Sequence, residues 1–275
     1  MYWQRQSLEI PPKTMQMTRP LRKRFGQHLL SNPNTINNIV KVIYPKKNDK
    51  LVEIGPGRGA ITIPILKNVG KLHAIEIDHD IAREVSENCK NIGDLIIHQG
   101  DVLNFDFNEV ASSSSQIRLF GNLPYNISTP LLFNLLKFSD LIIDMHFMLQ
   151  KEVVDRIIAS AGDSNYSRLS IMIQSSYIVE SLFNISPNEF SPPPKVNSSF
   201  MRLTPSNEYH KQIKDLKVFS KLVETAFQQR RKTIKNSLSN IVTEEQLINA
   251  SIQTTQRPQE ISIPQYINLA NLLVP

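Results

Sequence analysis

Short apolar runs alternate with amphipathic stretches from Leu51 to about Ile158. Leu51-Val52-Glu53-Ile54, Leu72-His73-Ala74-Ile75-Glu76, Leu95-Ile96-Ile97-His98, Arg118-Leu119-Phe120-Gly121 and Leu141–Leu149 have the length and residue types of strands. Between them come polar turns and helical periodicity, as in Ala60–Leu66 and in the segment from Lys151. This alternation predicts a doubly wound, Rossmann-like α/β domain with helices on both faces of a parallel sheet. Tyr177–Phe183 and Val196–Leu203 read as a closing pair of strands. Ser112–Ser115 reads as a loop. Beyond Thr204-Pro205-Ser206-Asn207 the pattern is helical only, so the division expected is an α/β domain over 21–205 and a small all-helical domain over 206–275. In the latter a single helix is expected from about Leu216 to Leu238. At about 100° per residue, Phe219, Leu222, Val223, Ala226, Phe227, Ile234 and Leu238 fall on its core face. Gln228, Arg231, Lys232 and Lys235 lie opposite. Arg230 falls inward and needs an acid or backbone carbonyls as partner.

Candidate chemistry gathers at the carboxyl ends of the predicted strands, the ligand edge of open α/β sheets. Gly55-Pro56-Gly57-Arg58-Gly59 follows the first strand and lets backbone approach a ligand at a helix start. Glu76 ends the second strand 21 positions after Gly55, close to the ~20 expected of an acid that takes ribose hydroxyls. The spacing is G-x-G-x-G and not G-x-G-x-x-G, which disfavours a dinucleotide. Asp101 ends the third strand and would face an adenine amine. Two acids and a glycine turn without a pyrophosphate site fit S-adenosylmethionine. Asn122-Leu123-Pro124-Tyr125 ends the fourth strand and leads into a helix that Thr129 can cap, with Pro130 in its first turn. Tyr125 can stack on a planar heterocycle while the Asn122 side-chain oxygen and a nearby carbonyl accept an exocyclic amine's hydrogens. A turn that merely contains Asn and Pro is the alternative reading. Phe190, ahead of Ser191-Pro192-Pro193-Pro194, is a candidate second aromatic wall for the same base. The alternative is a core phenylalanine anchoring the proline turn.

Six segments in order carry a resemblance: Arg24-Phe25-Gly26-Gln27-His28, Glu53–Gly57, Asn122–Ser128, Met148–Val153, Pro192–Val196 and Gln229–Thr233. From about Arg22 to the C-terminus the chain resembles the small-subunit ribosomal RNA adenine N6-dimethyltransferases. Leu29 stands where an aromatic residue is usual. The resemblance implies S-adenosylmethionine-dependent dimethylation of adenines in small-subunit rRNA, with the small ribosomal subunit as partner. It implies that Asn122, Leu123, Pro124 and Tyr125 carry the chemistry, and that His28 and Leu30 lie on an arm folded over a cofactor also held by Gly55, Gly57, Glu76, Asp101 and Asn122. Arg22, Lys23 and Arg24 on that arm, Phe190, and Arg231, Lys232 and Lys235 on the helical domain would meet RNA. Residues 1–20 form a leader, its first part with no place in the resemblance, expected to be dispensable. The rival activities are large-subunit rRNA methylation conferring antibiotic resistance and DNA adenine methylation. A non-catalytic ribosome-assembly factor is the rival from another class, disfavoured by intact Glu76, Asp101, Asn122 and Tyr125.

Charge and composition agree with this. The chain has 31 Lys+Arg against 25 Asp+Glu, a net +6, which permits a nucleic-acid partner. Its one cysteine, Cys89, excludes an internal disulfide and suits a reducing cytoplasm. The six histidines show no metal-binding spacing, and no apolar run reaches the ~20 residues of a membrane span. A cytoplasmic, metal-free monomer is expected.

Overall fold

A computed structural model describes residues 28–111 and 116–274. The leader, Arg22, Lys23, Arg24 and Ser112–Ser115 fall outside them. The strands are β1 (Leu29–Leu30), β2 (Leu51–Ile54), β3 (Lys71–Glu76), β4 (Asp94–Gln99), β5 (Ile117–Asn122), β6 (Ile142–Gln150), β7 (Tyr177–Ile185), β8 (Phe190–Ser191) and β9 (Ser198–Pro205). The α-helices up to β7 are α1 (Pro33–Ile43), α2 (Thr62–Val69), α3 (His79–Cys89), α4 (Ser128–Leu135), α5 (Lys151–Ile158) and α6 (Arg168–Gln174). After β9 come α7 (Asn207–His210), α8 (Leu216–Gln228), α9 (Ile234–Ser237), α10 (Glu244–Asn249) and α11 (Ile263–Asn271).

Seven strands form one twisted sheet in the order β4-β3-β2-β5-β6-β9-β7. β4 to β6 run parallel, and β9 is antiparallel to both of its neighbours. The sheet is therefore mixed at one edge, where the expected closing pair sits. Strand periodicity feeds two cores. Leu51, Phe120 and Met148 pack against Ile39, Ile65 and Val85 of α1, α2 and α3. Val52, Ile54, Leu119, Phe147 and Leu149 face the other way, with α4, α5 and α6. Gly121 is required where β5 passes β2, because a Cβ there would clash with the Ile54 carbonyl oxygen. Arg118, at the opposite end of β5, is paired with Asp49 and Asp144 and donates to the Ile43 carbonyl that ends α1.

Beyond Pro205 every regular element among the described residues is a helix. These helices share their core with the sheet, for Phe219, Val223 and Tyr266 belong to the cluster that holds Phe147 and Met201. The single helix expected over Leu216–Leu238 is broken. α8 ends at Gln228, the chain turns at Gln229 (φ −124°, ψ 49°), and α9 starts at Ile234. No proline or glycine causes this. The Ile234 N–H donates to the Gln256 carbonyl at 2.6 Å, and the Ser237 hydroxyl lies within reach of the Gln229 and Thr233 carbonyls. Tertiary partners thus replace helical ones, while Ile234 and Leu238 still reach the core. Arg230 is half-buried and donates to the Ser164 carbonyl. A smaller correction concerns α4, which begins at Ser128. Thr129 is therefore inside the first turn and does not cap it, and the Ser128 hydroxyl donates to the Tyr125 carbonyl at 3.1 Å.

His146 on β6 is 1% exposed, stacked on Phe200, with neither ring nitrogen hydrogen-bonded among the described residues. Burial lowers its pKa to about 4, so the Asp144 carboxylate 3.6 Å away faces a neutral ring at pH 7. His73, bonded to His98 at 2.9 Å, is likewise lowered to about 4 by burial. Each pKa is lower in the folded than in the unfolded chain, so the unfolded chain binds the extra protons. Their contribution to stability is complete above about 6.5 and is lost as pH falls from there towards 4. Chemical denaturation at pH 7.5 and pH 5 should show this loss, and His146→Phe should reduce it. An unchanged pH dependence in His146→Phe would contradict the assignment.

Candidate functional site

The carboxyl ends of β2, β3, β4 and β5 enclose a cleft of about 310 Å³. After β2 the chain turns through Gly55 (φ 70°) and Gly57 (φ 53°), a region that L side chains rarely adopt. At Gly57 a Cβ would also come within 3.0 Å of the tip of the Leu29 side chain, which would have to give slightly. Glu76 ends β3, 5% exposed, with Oε1 accepting the Asp78 N–H at 2.9 Å. Burial raises its pKa, while bonds from the backbone of Asp78, Ile77 and Gly57 act against that. Asp101 follows β4, and its Oδ1 caps a short turn through the Leu103 N–H at 2.9 Å. Its other carboxylate oxygen has no hydrogen-bond partner among the described residues. Glu76, Asp101, Gly55, Gly57 and Asn122 thus line one cleft, as their positions at and after strand ends led us to expect, and His28 of the arm joins them.

Asn122, the last residue of β5, donates from Nδ2 to the His28 carbonyl at 2.9 Å. Its Oδ1 has no partner among the described residues. The amide therefore shows its acceptor to the cleft. Leu123 buries its side chain and is anchored by its N–H on the Met148 carbonyl at 3.1 Å, so what it can offer a ligand is main chain. The Tyr125 ring lies 5.9 Å from the His28 ring at 30°, with its hydroxyl 3.1 Å from Ser198 Oγ. Pro124 also lines the cleft. Together these groups can hold a flat heterocycle by its face and accept hydrogens from an amine at its edge.

Of two further residues expected at the site, Leu30 buries its side chain but lines a second cavity beside the cleft, and Phe190 lies in the core. Leu30 is 6% exposed and packs in the core with Ile39 and Phe190. His28 and Leu29 are the residues of the arm that line the cleft itself. Phe190 is 4% exposed, paired with Leu30 in the β1–β8 ladder, and does not line the cleft. It is the core phenylalanine of the alternative reading, and the ring beside Tyr125 is that of His28. The arm is held here by the β1–β8 ladder and by His28 Nδ1 against the Pro192 carbonyl at 2.9 Å. Of the three outer basic residues, Arg231 and Lys232 are exposed, whereas Lys235 is ion-paired with Glu244.

The sequence reading missed Ile77, which is exposed on the cleft wall, and Glu53. Glu53 is 2% exposed, its Oε2 without a hydrogen bond among the described residues, and burial raises its pKa to about 8. It lines a second cavity of about 500 Å³ that adjoins the first across Gly55, Gly57 and Asn122. An acid inside an otherwise apolar central strand was the available signal. No group of three or more metal-ligating side chains occurs among the described residues.

The family profile described as "Ribosomal RNA adenine dimethylase" matches residues 19–274. A protein of Saccharophagus degradans named ribosomal RNA small subunit methyltransferase A is 47% identical over 254 residues, covering 92% of this chain and 95% of the relative. One of the same name from Xylella fastidiosa is 47% identical, covering 92% and 96%. Among solved structures, a dimethyladenosine transferase from Plasmodium falciparum superposes with a TM-score of 0.76 at 26% identity, covering 88% and 96%. The 23S rRNA methyltransferase ErmE superposes at 0.66 with 21% identity, covering 89% and 99%, a likeness of fold.

The core placement of Phe190 and Leu30 has a measurable consequence. Phe190→Ala should cost about 3–5 kcal/mol and Leu30→Ala about 2–5 kcal/mol of stability in denaturant unfolding. Near-normal stability with impaired RNA affinity would return Phe190 to the cleft wall.

Proposed function

This chain belongs to the ribosomal RNA adenine dimethylase family, and from that premise we propose that its cleft holds S-adenosylmethionine beside an adenine of small-subunit rRNA and that Asn122 governs the transfer. The activity is N6,N6-dimethylation of adenine, and the single observation that carries the site assignment is the Asn122 amide, fixed by His28 with its oxygen towards the cleft. S-adenosylmethionine supplies, when bound, a methyl group on a positively charged sulfur. The cradle fits such a ligand: Glu76 suits the ribose hydroxyls, Asp101 the adenine amine, and Gly55 and Gly57 allow close backbone approach.

The target amine is a poor nucleophile because its lone pair is delocalised into the ring. Hydrogen bonds from its two N–H groups to Asn122 Oδ1 and the Leu123 carbonyl favour a pyramidal nitrogen and localise that pair. Tyr125 holds the ring by its face, and orientation does the catalytic work. The chain needs no strong base here, because the methylated nitrogen loses its proton readily to water. A target in a hairpin loop costs less to extract than one in a helix. In this reading residues 21–205 hold the chemistry and 206–275 face rRNA, with Arg231 and Lys232 on the turn after α8, Lys235 on α9, and Arg22, Lys23 and Arg24 on the arm. The enzyme works as a cytoplasmic, metal-free monomer. A likeness of 21% to ErmE, against 47% to small-subunit enzymes, favours the small subunit over the large one.

Labelled S-adenosylmethionine offered with unmethylated small subunits, large subunits or DNA tests the reading. Label should enter small-subunit adenines, and Asn122→Ala should abolish transfer with the fold intact. Incorporation into large subunits instead, or near-normal transfer by Asn122→Ala, would reject it. Arg231→Ala, Lys232→Ala and Lys235→Ala together should flatten the salt dependence of subunit binding, by about one unit of log–log slope for each phosphate no longer neutralised. Lys235 should contribute least, being paired with Glu244. An unchanged slope would remove these residues from the RNA surface.

A further inference from the structure

Tyr125 is held at three points, two on its ring and one on its main chain. Its hydroxyl meets Ser198 Oγ at 3.1 Å, its face lies 5.9 Å from the His28 ring, and its carbonyl accepts the Ser128 hydroxyl at 3.1 Å. Of these partners Ser198 is the most firmly fixed. It has no exposed surface and opens β9, the strand that lies between β6 and β7. Its Cα register partners are Gln150 on one side and Ile185 on the other. The residue before it, Asn197, accepts the Lys151 N–H at 2.9 Å. The hydroxyl that meets Tyr125 is therefore part of the sheet and not of the proline loop before it.

We infer that Ser198 is a positioning residue for the base, which locks the Tyr125 ring and thereby commits the enzyme to the second methyl transfer. This rests on the dimethylation reading above. In the first transfer the adenine amine has two N–H groups to be held, one for Asn122 Oδ1 and one for the Leu123 carbonyl. After one methyl has been added a single N–H remains. The nitrogen is then oriented by one hydrogen bond and by the stacked face of its ring, so the second transfer depends more on a rigid Tyr125 than the first. Freeing the ring should leave cofactor binding intact, slow the second step most, and let monomethylated adenine accumulate.

The test is a double-mutant cycle of Tyr125→Phe and Ser198→Ala, following mono- and dimethyladenine in small-subunit RNA by mass spectrometry. Each single change should slow the second transfer by about three- to ten-fold, the range of one neutral hydrogen bond, and the first by less. KM for the subunit and calorimetric affinity for S-adenosylmethionine should stay at wild-type values. The double variant should be no slower than either single one, because both remove the same hydrogen bond. Additive effects, or a wild-type ratio of mono- to dimethyladenine in Ser198→Ala, would overturn the inference. If Ser198→Ala fails to fold, Tyr125→Phe alone decides, since it keeps the ring and leaves Ser198 in place: a wild-type ratio there overturns the inference equally. Failure of the wild-type enzyme to methylate small subunits would instead overturn the reading beneath it.

Discussion

A carboxamide has a donor end and an acceptor end, and whatever binds one end decides what the other can do. At Asn122 the donor end is held on the His28 carbonyl at 2.9 Å. That bond makes the residue an acceptor towards the cleft, which is what an amine substrate requires. It also joins two parts of the chain far apart in sequence, the arm before α1 and the end of β5. The rest of the structure can be understood as what keeps these parts in register. β1 pairs with β8, His28 Nδ1 meets the Pro192 carbonyl, and Leu30 and Phe190 fill the core beneath. Their apolar burial stabilises an arm that could not order itself alone.

Asn122 is also fixed from the sheet side. Gly121 lets β5 pass against β2, and the Leu123 N–H is bound to β6. The strand ends that carry Glu76, Asp101 and Asn122 belong to one parallel run of the sheet, so acids and amide come to one cleft without any loop having to close. The mixed edge contributes differently. β9 runs antiparallel between β6 and β7 and carries Ser198 to the Tyr125 hydroxyl. A sheet edge that looks purely architectural therefore sets the position of an aromatic platform.

Much of this was legible in sequence. Strand runs and helical periodicity gave the α/β order, and turn chemistry at Gly55–Gly59 and Asn122–Tyr125 gave the ligand edge. What failed did so for non-local reasons. Side chains alternate along a strand, so whether Leu29 or Leu30 faces the cleft depends on the register of β1 against β8, a segment far along the chain. Phe190 is buried by that same pairing. The helix expected across Gln229–Thr233 breaks because the Gln256 carbonyl and Ser237 hydroxyl compete for its backbone, and neither is a local signal. Glu53 is an acid whose raised pKa comes chiefly from burial, and burial is a property of the assembled sheet.

The most direct test of the central claim is a structure of the protein with S-adenosylhomocysteine and a hairpin RNA carrying the target adenine. The account predicts the adenine amine nitrogen within about 2.7–3.2 Å of the Asn122 side-chain atom that faces away from His28, with the bond to the His28 carbonyl still in place. An adenine amine held by other groups, or an Asn122 amide released from His28 and turned to present its donor to the base, would contradict it.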